Sequence, residues 1–216
     1  MSPVGLFLSF EGGEGSGKSV QARALADWIR ASGREVVLTR EPGGTLFGER
    51  VREVLLHAKD VSLAPAAQAL LFSSARAQLV AEVIRPALVA GAVVVADRFY
   101  DSTLAYQGYG SGADLAGLMA ITRFAIADLR PQRTFLLDVP VDVGFARSTA
   151  RRTGPELWDR FESDERPFHE RLRAGYLELA AADPGRFVIV PGERDPEVIA
   201  GEIRGSVAEL LVVSRS

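Results

Sequence analysis

The run Gly12-Gly13-Glu14-Gly15-Ser16-Gly17-Lys18-Ser19 sets two glycines five positions apart and follows the second with a lysine and a hydroxyl. Glycines let consecutive backbone N–H groups turn inward and close on a phosphate with no Cβ in the way. A helix opening at Lys18 adds the positive end of its dipole. In such a loop the lysine reaches the β- and γ-phosphates of a nucleotide, and the Ser19 hydroxyl is placed for Mg²⁺. With glycine near ~7% of residues, the four fixed positions coincide by chance on the order of once in a hundred chains this long. The loop alone does not choose among nucleotide-using proteins. A GTPase switch normally needs a guanine-reading Asn-Lys-x-Asp, and the chain contains no asparagine. The one Asp-x-x-Gly, Asp114 to Gly117, follows no strand and reads as a helix cap. A motor would need more chain, so the size suits a small-molecule phosphotransferase.

A second set of residues supplies the acceptor side. Asp97-Arg98 follows the apolar run Val93-Val94-Val95, at a strand's C-terminal end, where ligands sit in an open parallel sheet. The aspartate can orient Mg²⁺ or its waters, and the arginine offers a planar fork to an acceptor phosphate. Phe72 and Arg76 lie four apart, on one helix face with Leu79 and Val83. An arginine in an apolar stripe either snorkels to the edge or needs buried acceptors. The second alternative makes a flat pocket: Phe72 stacks on a base and Arg76 donates to a carbonyl on its edge. Thr103, Tyr106 and Gln107 follow, and Gly108, Gly110 and Gly112 make the next segment read as a loop. An acceptor phosphate is already an anion, so no catalytic histidine is required. His57, near a helix end, and His169, in a charged helix, read as surface or packing residues.

The elements that must position these groups follow from hydrophobic pattern. Strands are expected at Leu6–Phe10, Glu35–Thr39, Ala92–Ala96, Thr134–Leu137 and Phe187–Val190. Helices are expected at Lys18–Ala31, Leu46–Leu56, Pro65–Val89 (interrupted by Pro86), Leu115–Leu129, Val141–Ala150, around Leu172 to Leu179, and at Pro196–Val213. Strands that are continuous apolar runs, alternating with helices, mean a parallel sheet covered on both faces. The chain has 216 residues, 47% of them hydrophobic and 25% charged, which excludes disorder. Net charge is −3, so a nonspecific nucleic-acid binder is not expected. Zero cysteines remove disulfides and thiolate metal sites. No apolar run approaches the ~18 residues of a spanning helix, and no signal peptide is evident, so a cytoplasmic address is expected.

Near end to end, the chain resembles bacterial thymidylate kinase. The resemblance is carried by Phe10-Glu11-Gly12 through Ser19, by Thr39-Arg40-Glu41-Pro42-Gly43-Gly44-Thr45, by Leu71-Phe72 with Arg76, and by Asp97-Arg98. It continues through Ser102-Thr103, Ala105-Tyr106-Gln107-Gly108 and Leu136-Leu137-Asp138-Val139. The Arg-Glu-Pro-Gly-Gly-Thr string is more specific to that family than the glycine loop. The resemblance implies a P-loop kinase three-layer α/β fold with a five-stranded parallel sheet, a single domain over residues 1–216, a short mobile lid at about 147–164, and a homodimer. It implies transfer of the γ-phosphoryl group of ATP to dTMP with Mg²⁺ as cofactor. Gly12, Gly13, Glu14, Gly15, Ser16, Gly17, Lys18 and Ser19 would bind ATP. Phe72 would stack on thymine and Arg76 bond its O4, with Thr103 near the other polar edge and Tyr106 against the sugar. Arg40, Pro42, Arg98 and Gln107 complete the implied dTMP site, with Arg98 on the monophosphate and Arg40 or Glu41 nearby.

Catalytic roles are implied for Lys18, Arg98 and Glu14, and for a lid arginine among Arg151, Arg152 and Arg160. Ser19, Asp97 and Glu162 are the implied metal ligands. Animal and yeast members carry an arginine where this chain has Gly15, and in the bacterial type the lid supplies that charge. An alternative acceptor such as UMP or CMP, and a nucleotide-sensing protein without transfer, remain compatible with many of the same residues. Adenine recognition is placed at Pro191 to Asp195 by topology alone.

Overall fold

The structure, a computed structural model, describes residues 5–56, 62–150 and 165–213. Five strands, β1 (Leu6–Glu11), β2 (Val36–Arg40), β3 (Val93–Asp97), β4 (Arg133–Asp138) and β5 (Phe187–Pro191), form one parallel sheet in the order β2-β3-β1-β4-β5. The helices are α1 (Lys18–Ala31), α2 (Leu46–Leu56), α3 (Pro65–Leu79), α4 (Arg85–Val89), α5 (Tyr100–Thr103), α6 (Leu115–Ile126), α7 (Val141–Ala150), α8 (Arg166–Ala182) and α9 (Pro196–Val213). The three-layer α/β architecture and the five-stranded parallel sheet expected from the pattern are both present.

Period-2 alternation splits β1 between two cores. Leu6, Leu8 and Phe10 pack with Ala22, Leu25 and Ile29 of α1 and Ile199 and Ile203 of α9. Phe7 faces the opposite layer, with Leu79 of α3, Phe99, Leu104 and Leu118 of α6. The helix after β1 therefore covers one face and the segments after β3 cover the other. Where the two connections diverge, a crevice opens beyond the strand ends, the usual ligand position in such sheets. Phe10 stands opposite Asp97, and Arg40 opposite Asp97 on the other side, so the chemical residues share one edge.

Three local expectations are corrected. The Pro65–Val89 helix continues through Pro86 by widening to a π-turn over Val80–Ile84, with Arg85 N–H bonded to the Val80 carbonyl. Pro86 has no N–H to give and its ring clashes in a tight turn, and the wider turn accommodates it. The segment after Gln107, read as a loop from its glycines, begins inside a π-helical stretch over Leu104–Gly110. Its glycines serve packing: a Cβ on Gly108 would meet Leu115 at 2.4 Å, and one on Gly110 would meet the Phe168 ring at 2.5 Å. Finally, α6 ends at Ile126, not Leu129, because Ala127 and Asp128 turn left-handed, and Arg85 donates to the freed carbonyls of Ile126 and Ala127. No helix among the described residues is long and apolar enough to cross a membrane.

Candidate functional site

The glycine loop wraps from β1 into α1. Gly12, Gly15 and Gly17 all have positive φ, and a Cβ on Gly12 would strike the Leu137 carbonyl at 2.5 Å, so the turn demands glycine. No side chain caps α1, which leaves its amide end for an anion. Lys18 is 6% exposed and donates to the Gly13 carbonyl at 2.7 Å and to Ser16 Oγ at 3.3 Å. Burial, then the like charge of Arg98, lower its ammonium to about 8, against the pull of Glu14, Asp97 and Glu11. A Cβ on Gly15 would meet the Gly144 carbonyl at 2.1 Å, so no larger side chain has room there while α7 sits in this place.

Ser19 Oγ donates to Asp97 Oδ2 at 2.5 Å, joining the start of α1 to the end of β3. A hydroxyl and a carboxylate oxygen held together fit Mg²⁺, a hard cation bound through one or two carboxylates plus phosphate oxygens and water.

Arg98 turns left-handed, with φ 73°. Its Nη1 donates to the Gly12 carbonyl, Ser102 Oγ and Tyr176 Oη, and its Nη2 donates to Glu14 Oε1 and Tyr106 Oη. The guanidinium also lies 4.9 Å from the Tyr106 ring centroid. Burial alone would raise the Glu14 carboxyl, but Arg98, Lys18 and the Tyr106 hydroxyl overcome it and hold the group at about 2. Glu14 and Arg98 are thus an ion pair at the cleft wall.

A cleft of about 290 Å³ joins these groups to the second set. Glu14, Gly15, Ser16, Gly17, Lys18, Ser19 and Asp97 line one end. Pro42, Phe72, Arg76, Thr103, Tyr106 and Gln107 line the other, with Arg40 and Arg98 also on the wall. Gly12 and Gly13 line a smaller hollow toward β4 instead. Arg40 is exposed and paired with Glu49 at 3.0 Å. Arg76 does not snorkel. It is 1% exposed, donating through Nε and Nη2 to Glu41 Oε2 and through Nη2 to Thr103 Oγ1. Its Nη1, Glu41 Oε1 and Gln107 Oε1 are buried without hydrogen-bond partners. Unsatisfied buried polar atoms are rare, and three at one end of a cleft mark a place for a polar, flat ligand.

Three contributors escaped the sequence reading in these roles: Glu41 as the counter-ion of Arg76, and Glu11 with Tyr176 behind Arg98. Glu11 is fully buried, accepting from Phe99 N–H at 2.8 Å, Ser102 Oγ at 2.6 Å and Tyr176 Oη at 3.0 Å. Burial, with Asp101 adding like charge, pushes its carboxyl up to about 7. The available signal was alternation: Ser9 and Glu11 are polar positions on the same face of an otherwise apolar strand, and polar groups there need partners. Asp114 is the helix cap expected, accepting from the amides of Ala116 and Gly117. His169 is buried against Phe145 and Phe168, a packing residue. Arg151, Arg152, Arg160, Glu162 and His57 lie outside the described residues, as does most of the lid.

Several known proteins are similar to this chain. The family profile described as Thymidylate kinase matches residues 10–203. A thymidylate kinase from Roseiflexus sp. (strain RS-1) is 47% identical, covering 98% of this chain and 96% of its own length. One from Pseudomonas fluorescens (strain Pf0-1) is also 47% identical, covering 98% of this chain and 99% of its own length. The crystal structure of thymidylate kinase from Ehrlichia chaffeensis superposes with a TM-score of 0.76 at 32% identity, covering 95% of this chain and 99% of that one. With the match running through both the glycine loop and the Arg76 cleft, the chain belongs to the thymidylate kinase family.

Proposed function

We propose that the chain transfers the γ-phosphoryl group of ATP to dTMP, giving ADP and dTDP, with its residues dividing the work as follows. The observation that carries this is the Arg76 end of the cleft. A guanidinium 1% exposed, with Nη1 unpartnered, faces the same cavity as the phosphate loop. Such a nitrogen only donates, so it donates to the O4 carbonyl of thymine and disfavours the amino group, itself a donor, that cytosine presents there. Glu41 and Thr103 engage the other donors and leave that one for the base. Phe72 stacks on the ring, Gln107 and Thr103 border its polar edge, Tyr106 lies by the sugar, and Pro42 and Arg40 close the rim.

At the other end, the loop amides and Lys18 hold the donor phosphates. Arg98 points the acceptor phosphate oxygen at the γ-phosphorus, exchanging its contact with Glu14 for the incoming anion. Ser19 and Asp97 would hold Mg²⁺, which when bound neutralises charge on the phosphoryl oxygens. Arg151, Arg152 and Arg160 are the candidates to close over the equatorial oxygens, and Glu162 the candidate to approach the metal from the lid. Closure excludes water that would otherwise hydrolyse ATP. We infer a homodimer and one domain spanning the chain, with the cytosol as its setting.

The test is ADP release with dTMP, dUMP, dCMP, UMP, dGMP and AMP as acceptors. dTMP is expected to be fastest and dCMP slower by ~10⁴, the scale of leaving a site's hydrogen bond unpaired. Fastest turnover on a purine would overturn the base pocket.

A further inference from the structure

We propose that Glu11 is a positioning residue for Arg98, acting by setting the direction of two hydroxyl hydrogens. The proposal rests on the reading that Arg98 receives the acceptor phosphate. Both Ser102 Oγ and Tyr176 Oη donate to one atom, Glu11 Oε2, at 2.6 and 3.0 Å. Both also accept from Arg98 Nη1, at 3.1 and 3.3 Å. Ionised, above its titration at about 7, Glu11 is an acceptor only. It then draws both hydrogens toward itself in preference to the 2.9 Å contact between the Ser102 and Tyr176 hydroxyls, and leaves each oxygen's lone pairs turned to the guanidinium. The other oxygen, Glu11 Oε1, accepts the N–H of Phe99 at 2.8 Å. That amide directly follows the left-handed Arg98, and Phe99 is the N-cap of α5, with no cap from its own side chain. One carboxylate therefore fixes both the strained turn that carries Arg98 and the polarity of the bed on which its head rests. Glu11 is fully buried, and such a group is costly to bury without a purpose.

Glu11→Gln is close to isosteric yet chemically opposite at one atom. Phe99 N–H still demands an oxygen at the Oε1 place, so the amide nitrogen must stand where Oε2 was. It would donate to both hydroxyls and turn their hydrogens toward Arg98, weakening the bed without emptying it. The measurement is binding of thymidine and of dTMP, separately, by calorimetry to wild type, Glu11→Gln, Tyr176→Phe and Arg98→Ala. The ratio of the two dissociation constants isolates what the phosphate adds.

In Glu11→Gln that ratio is expected to fall about tenfold, the scale of one charge-assisted hydrogen bond, while thymidine alone binds within about twofold of wild type. Tyr176→Phe, which deletes one of the two bridging hydroxyls, is expected to lower the ratio less and decides the matter should Glu11→Gln not fold. If Arg98→Ala abolishes the phosphate increment but both other variants keep it, the positioning role is wrong and the phosphate site stands. If thymidine and dTMP weaken together, Glu11 merely supports the fold and the proposal is overturned. If Arg98→Ala itself keeps the increment, the phosphate assignment fails first and the positioning role with it.

Discussion

Lys18 and Glu11 carry opposite burdens within one buried cluster. Lys18 is expected to be the charge that the donor phosphates cannot do without: Lys18→Ala should lower turnover by roughly 10³-fold, as the loss of a preorganised charge-stabilising donor does. Turnover within threefold of wild type would remove the loop assignment. Burial and Arg98 bring that ammonium to about 8, so the free enzyme loses its charge as pH rises through that value. Accordingly kcat/KM for ATP should fall on the alkaline side near pH 8, and a profile flat to pH 10 would contradict it. Glu11 titrates the other way. Its carboxyl faces Asp101 of α5, Arg98, and the hydroxyls of Ser102 and Tyr176, and burial lifts it from 4.5 to about 7. Between those values the folded chain holds a proton that the unfolded chain releases, so this group's contribution to stability declines as pH rises from 4.5 to 7. Melting temperatures at pH 5 and pH 8 should show a smaller decline in Glu11→Gln than in wild type. An equal decline would place the titration elsewhere.

At the scale of elements, the glycine loop and α7 are built against each other. Gly144 lies inside α7, where alanine is intrinsically better by about 1 kcal/mol. Yet a Cβ on Gly144 would meet the Glu14 carbonyl at 2.5 Å, and one on Gly15 the Gly144 carbonyl at 2.1 Å. Gly144→Ala should therefore go against helix propensity: melting temperature falls, and KM for ATP rises several-fold as the loop is pushed aside. A variant more stable than wild type with unchanged KM would show that α7 does not press on the loop. The same logic separates the elements that were legible from those that were not. Strands β1 and β3 and helix α1 were readable because their apolar periods are uninterrupted. Leu104–Gly110 was not, because a glycine that lets two helices touch and a glycine that makes a turn look the same in one dimension. Arg76 was readable as an anomaly in an apolar stripe, but its partner Glu41 is 35 positions away, and only the fold brings α3 to the turn after β2.

For the whole molecule, α3 packs beside both α2 and α6, and these helices leave Leu46 79%, Phe47 46%, Leu70 57% and Phe124 91% exposed. Large apolar side chains gathered on neighbouring helices suit an interface between copies. Sedimentation at micromolar concentration should give twice the 23.2 kDa chain mass, and Leu70→Glu with Phe124→Glu should give the monomer. A wild-type monomer would refute the dimer. The sequence alone determined the architecture and the phosphate loop, since alternating apolar periods and a contiguous glycine run are local properties that neighbours in the chain enforce. Tertiary structure alone decided which distant residues meet. Glu11 with Tyr176, Glu41 with Arg76 and Gly15 with Gly144 are separated by tens to more than a hundred residues. The first two contacts exist because a buried polar group must find its partner wherever the sheet and helices bring one within reach, and the third because close packing of the loop on α7 leaves no space for a side chain.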